Sequence, residues 1–225
     1  MENQQKSLTP ISKLFENAYS IYKEKFWLFT KLAAFNLAPL AVMAFCGGFF
    51  AAVIFVQKSS FNLALLLFGV LVLLVGILIS IIVGIWVYAA TFFALKEPDS
   101  KVSIKKVFLS TKPYLWSFFW VSFLSGIATA VGFILFIIPG IIFGVWFSLS
   151  LYVFIFEDIK GTSALKKSKE MVKGYWWPVF GRIIIIGVIS WLVSSIEFFG
   201  PIINLLFVVP FSIVFEYLIY QDLKR

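Results

Sequence analysis

The sequence predicts an all-α protein, a polytopic transmembrane helical bundle with six spans arranged as three hairpins, each preceded by a cytoplasmic amphipathic helix. Composition is the first reason: of 225 residues, 61% are hydrophobic and 13% charged, and the mean hydropathy is +1.00. Soluble domains run at about 45–50% apolar and about 25% charged. The second reason is that the apolar residues fall in runs near the length of about 20 residues that crosses a hydrocarbon layer of about 30 Å. No polar stretch is long enough for a soluble domain, so residues 1–225 read as one membrane domain.

The elements follow in order. Residues 1–25 carry Lys6, Lys13, Lys23, Lys25, Glu2, Glu16 and Glu24 and lack the basic-then-apolar order of a secretory signal, so no cleaved leader is expected. Thr9 and Pro10 stand where an N-cap and first turn belong for a helix over 10–26, on which Leu14, Phe15, Ala18, Tyr19, Tyr22 and Phe26 share a face. The first span runs over 28–56, with Lys31 near its start, and the second over 63–95 without a formal charge. A second amphipathic helix, 101–114, is interrupted by Pro113 and leads into a third span, 115–138. Pro139-Gly140 punctuates the chain before the fourth span, 141–156. The third amphipathic helix, 162–177, sets Leu165, Ser168, Met171, Val172, Tyr175 and Trp176 against Lys166, Lys167, Lys169, Glu170 and Lys173. The fifth span, 179–198, meets Gly200-Pro201, and the sixth is 202–220.

Six spans make the polar segments alternate sides, and 18 of the 19 Lys and Arg then fall on one side, leaving Lys58 alone on the other. Basic residues mark the cytoplasmic side, so a multi-pass protein with both termini in the cytoplasm is expected. These lysines flank spans, so the partners they suit are anionic lipid headgroups rather than nucleic acid.

The three amphipathic segments align on Trp27, Trp116 and Trp177. Four residues before each lies a lysine, Lys23, Lys112 and Lys173; twelve before lies Phe15, Ile104 or Leu165; directly before lies Phe26, Leu115 or Trp176. The repeating unit is one surface helix plus one hairpin, and every unit enters from the same side, as in parallel repeats. The sharper reading is a surface that binds lipid, with Trp at the headgroup belt and lysines outward; the plainer reading is three elbows that anchor the spans.

Ionisable groups inside a membrane are costly and mark function or pairing. Arg182 lies 18 residues before Gly200 and Glu216 lies 16 after it, so in an antiparallel hairpin the two come to similar depth. A structural ion pair between them is expected. Glu157 and Asp158 are adjacent carboxylates at a membrane edge, suited to capping the third surface helix or to holding a cation against headgroup phosphates. Pro39 and Pro210 mark kinks, and Gly140 with Gly144 permits close helix contact within the monomer. Histidine is absent and Cys46 is the only cysteine, a packing residue. No metal cluster, cofactor or intrachain disulfide is therefore expected. The motifs of zinc proteases, α/β-hydrolases and P-loop enzymes are missing too, so no enzyme activity is expected.

The stretch Ile137-Ile138-Pro139-Gly140-Ile141, the apolar run to Phe156, then Glu157-Asp158, Gly161, Ala164-Leu165, Ser168, Gly174 and Trp176-Trp177 resembles the membrane domain attached to some glycerophosphodiester phosphodiesterases and related stand-alone six-span prokaryotic proteins. The similarity is best over residues 133–190. That family carries its phosphodiesterase chemistry in a separate barrel domain, which this sequence does not contain. The resemblance therefore implies architecture and a prokaryotic inner membrane, but no activity. Two functions fit: a protein that engages lipids, a membrane-protein partner or a second copy of itself, or a small transporter or channel for an apolar or lipid-like compound.

Overall fold

The computed structural model describes residues 8–58, 61–99 and 102–224, and among them all regular structure is helical. Six helical stretches are long and apolar enough to cross a membrane: Phe26–Gln57, Leu63–Phe93, Ile104–Leu135, Ile137–Glu157, Trp176–Ser194 and Gly200–Lys224. On α4 (Leu63–Phe93), Leu67, Leu71, Leu74, Leu78, Ile81 and Ile82 are each more than half exposed. A surface this apolar suits lipid and not water. The chain is an integral membrane protein.

Helix α1 (Ile11–Glu24) leads into the first stretch, which is α2 (Phe26–Ala34) and α3 (Leu37–Gln57). The break at Phe35–Asn36 lies four residues before Pro39, where the proline ring displaces the carbonyl of Phe35. Helix α3 packs along α4, and a Cβ on Gly76 would lie 2.5 Å from the Cys46 sulfur, so the lone cysteine fills the close crossing of the two helices.

Helix α5 (Ile104–Thr111), a single 3-10 turn at Lys112–Tyr114 and α6 (Leu115–Leu135) form one continuous stretch. Pro113 therefore does not break this segment. It takes a place in the tight turn, where the Lys112 and Leu115 amides reach Leu109 and Lys112 instead. The reversal after α6 falls at Phe136, whose extended backbone alone separates α6 from α7 (Ile137–Phe147). It does not fall at Pro139-Gly140. Pro139 lies in the first turn of α7, where no amide hydrogen is needed. Gly140 lies against α6, and a Cβ there would run into the Phe133 ring. Helix α8 (Ser150–Glu157) completes that stretch.

Helix α9 (Thr162–Val172) precedes α10 (Trp176–Ser194), and α11 (Gly200–Ile203) begins the last stretch. A π turn at Asn204–Val208 follows, then α12 (Val209–Lys224). Pro210 withholds the amide that would bind the Leu206 carbonyl, and the widened turn absorbs that loss. Asn204 at its start donates to the Ser190 carbonyl (3.2 Å), the Ser190 hydroxyl (2.8 Å) and the Ser194 hydroxyl.

The large buried side chains gather at one end of the bundle. Phe29, Leu32, Phe92, Phe118, Leu149, Tyr152, Phe154, Phe215, Ile219 and Tyr220 are all under 3% exposed. Toward the other end the pairs α3–α4 and α6–α7 touch mostly each other, and Phe45, Ile134, Phe136, Trp191 and Phe198 stand exposed.

Candidate functional site

Polar side chains concentrate at the end where the described termini meet. The Thr9 amide and hydroxyl donate to the two Asp222 carboxylate oxygens at 2.9 and 2.8 Å. Arg182 donates to Asp222 Oδ2 at 3.1 Å and to the Thr9 carbonyl at 2.7 Å. Arg182 and Asp222 are 3% and 7% exposed. The partner of Arg182 is thus Asp222 and not Glu216. Equal-depth counting treats α10 and the last stretch as two straight antiparallel rods, but the π turn and Pro210 intervene and α12 packs chiefly on α1, where Phe15 meets the Phe211 and Phe215 rings. Glu216 instead accepts from the Tyr152 hydroxyl at 3.3 Å, and that hydroxyl also lies 2.9 Å from the Ile213 carbonyl.

Two more cations bind helix ends here. Lys25 is buried between α1 and α2 and donates to the carbonyl of Ala94, the C-cap of α4 (3.0 Å), and to that of Glu97 in the loop beyond it. Burial lowers its pKa, while the Glu24 and Glu97 carboxylates pull it up. Lys96 donates to the Ile155 carbonyl in the last turn of α8 at 2.9 Å. A cation at a helix C-terminus meets unpaired carbonyls and the negative end of the dipole.

Glu157 and Asp158 do not act together. Glu157 accepts from the Tyr220 hydroxyl at 2.7 Å and pairs with Lys224 at 3.5 Å. Asp158 takes the left-handed C-cap conformation of α8 (φ 55°), which aspartate tolerates, and turns outward to Lys160 at 3.7 Å. The positive φ at Asp158 sends the two side chains to different partners, Glu157 to Tyr220 and Lys224 on α12 and Asp158 to Lys160 in its own loop.

Counted from Trp27, Trp116 and Trp177, corresponding positions have matching environments. Nine before are Ala18, Val107 and Ser168; five before are Tyr22, Thr111 and Val172; two after are Phe29, Phe118 and Val179; five after are Leu32, Val121 and Arg182. All twelve are buried. Each set recurs at helical spacing on one stripe. The tryptophans themselves are 71%, 74% and 74% exposed, and Lys23, Lys112 and Lys173 are exposed as well. The apolar stripes of α1, α5 and α9 thus face the bundle, with Tyr19, assigned to the inner face from the sequence, turned outward at 60% exposure. Arg182 occupies the one position of these twelve where a charge replaces Leu or Val.

Beside the first tryptophan lies a groove of about 770 Å³ lined by Glu24, Trp27, Leu28, Lys31, Val102, Ser103 and Ile104. Beside the second lies an apolar groove of about 340 Å³ lined by Leu78, Ile81, Ile82, Ile85, Leu115, Trp116 and Phe119. Of the residues that matter here, Asp222, Thr9, Lys25 and Tyr152 were not legible as partners, since each acts through a contact far away in sequence. No protein-family model, curated protein or solved structure matches this chain.

Proposed function

We propose that this protein is a non-enzymatic membrane protein of a prokaryotic inner membrane whose charged end faces the cytoplasm and holds phospholipid headgroups. Its six spans form three parallel-repeat hairpins, each led by an amphipathic elbow. The observation that supports this reading is the set of three exposed tryptophans, each one turn beyond an exposed lysine, over stripes packed into the bundle. Tryptophan prefers the headgroup belt and lysine the phosphate layer. Retention of phosphatidylglycerol by the purified protein, read as lipid adducts in native mass spectrometry, tests it. Alanine at Lys23, Lys112 and Lys173 together should weaken retention by about fivefold per lysine, from about 1 kcal/mol each. An unchanged adduct count contradicts the proposal.

The apolar groove between α4 and α6 favours a second reading, a transporter for a lipid-like compound. Reconstitution with fluorescent short-chain phospholipid and an impermeant quencher separates the two: protein-dependent loss of the inner-leaflet signal supports transport, and a protected inner leaflet supports headgroup binding alone.

A further inference from the structure

The groove beside Trp27 carries opposite charges, Glu24 and Lys31, that form no ion pair among the described residues. Glu24, Leu28 and Lys31 follow one another at i, i+4 and i+7 along α1 and α2, so they share one wall of the groove. Glu24 and Lys31 are exposed, and Leu28 is buried as the floor between them. The facing wall is Val102, Ser103 and Ile104 at the start of α5. The Ser103 hydroxyl oxygen accepts from the Lys106 amide at 3.2 Å, which leaves its proton to donate into the groove. At about 770 Å³ the space lies within the range of about 300–1,000 Å³ typical of ligand sites.

The order of the charges is informative. The apolar stretch begins at Phe26, so Glu24 lies outside it, while Lys31 lies within its first turns. A residue there extends its ammonium toward the headgroup layer. Outward along the helices from the apolar stretch, the groove therefore carries Lys31, then Trp27, then Glu24. A phospholipid with an ethanolamine headgroup presents the complementary order, phosphate nearer the acyl chains and ammonium further out. Phosphatidylglycerol would leave Glu24 facing a neutral glycerol. Phosphatidylcholine would bring an ammonium without N–H donors, so Glu24 could make no charge-assisted hydrogen bond to it.

We propose that the groove formed by Glu24, Trp27, Lys31 and Ser103 is a binding site for an amine-bearing zwitterionic phospholipid, with Lys31 and Ser103 on its phosphate and Glu24 on its ammonium. The inference rests on the headgroup-binding reading and names the headgroup at one of its sites.

Native mass spectrometry of the full chain in detergent doped equally with phosphatidylethanolamine, phosphatidylglycerol and phosphatidylcholine of the same acyl chains tests it. The wild type should favour the ethanolamine lipid by about fivefold, the upper range for one exposed charge contact. Glu24→Gln should remove that preference while leaving glycerol-lipid adducts unchanged, and Lys31→Met should lower ethanolamine-lipid adducts about fivefold. Both side chains are exposed, so melting temperatures matching the wild type should accompany these changes. Soluble glycerophosphoethanolamine should compete at least about tenfold more weakly than the lipid, because Trp27, Leu28 and Ile104 would lose their acyl contacts. Equal adducts of all three lipids on the wild type, a preference that survives Glu24→Gln, or competition by the soluble headgroup at the lipid's own concentration would overturn the proposal. A wild type that retains no phospholipid at all would instead overturn the broader reading on which it rests.

Discussion

The two ends of the bundle are built on different principles. At the end where the described termini meet, helices from all six apolar stretches and the helices between them share one core of large aromatic and aliphatic side chains, bounded by three cation clamps, Lys25 on α4, Lys96 on α8 and Arg182 on α12. At the other end the helices pair through small residues, Gly76 against Cys46 and Gly140 against Phe133, and leave their bulky side chains exposed. In lipid, apolar exposure costs little, and association depends on packing and on polar contacts. The difference teaches that tertiary stability resides at the charged end, while the far end is held mainly by contacts within each helix pair.

The largest effect should come from breaking the Arg182 clamp. Asp222→Ala leaves a guanidinium buried without its carboxylate, and thermal unfolding in detergent should show a loss of about 3–5 kcal/mol. The double variant Arg182→Leu with Asp222→Leu should be less destabilised than Asp222→Ala alone, because Leu32 and Val121, five residues after Trp27 and Trp116 as Arg182 is after Trp177, are apolar and buried. A double variant no better than the single one would mean that the clamp orders the termini in a way that packing cannot replace. Next in size, Phe118→Ala, at 1% exposure in the shared core, should cost about 3 kcal/mol in the same assay.

The sequence made the six apolar stretches and the tryptophan register readable, because span length and the Trp–Lys spacing are local properties. The concentration of the core at one end was not readable. Leu74 and Leu149 look alike in sequence, yet one is 57% exposed and the other buried completely. A membrane helix is apolar on both its lipid-facing and its protein-facing sides, so periodicity carries no burial signal there. The Arg182 partner is hidden from the sequence for a related reason. Depth counted from Gly200 assumes two straight helices, and neither the π turn at Asn204–Val208 nor the lean of α12 onto α1 is marked by more than Pro210.

Smaller effects sharpen the contrast further. Lys25→Met removes the donor to the Ala94 carbonyl at the end of α4 and to the Glu97 carbonyl in the loop beyond, and should cost about 2 kcal/mol, measured by the same unfolding assay. At the far end Leu74→Ala should change stability by less than about 0.5 kcal/mol. A loss at Leu74 as large as that at Phe118 would show that the far end carries a core of its own.

The most direct test of the proposed arrangement is the sidedness of the two ends in intact cells. In a Cys46→Ala background, single cysteines at Lys173 on the charged end and at Ser195 in the turn after α10 would be challenged with a membrane-impermeant maleimide. Labelling of Ser195→Cys in intact spheroplasts, with Lys173→Cys reacting only after permeabilisation, is the predicted result. Labelling of Lys173→Cys in intact spheroplasts, or of both positions from one side, would contradict it.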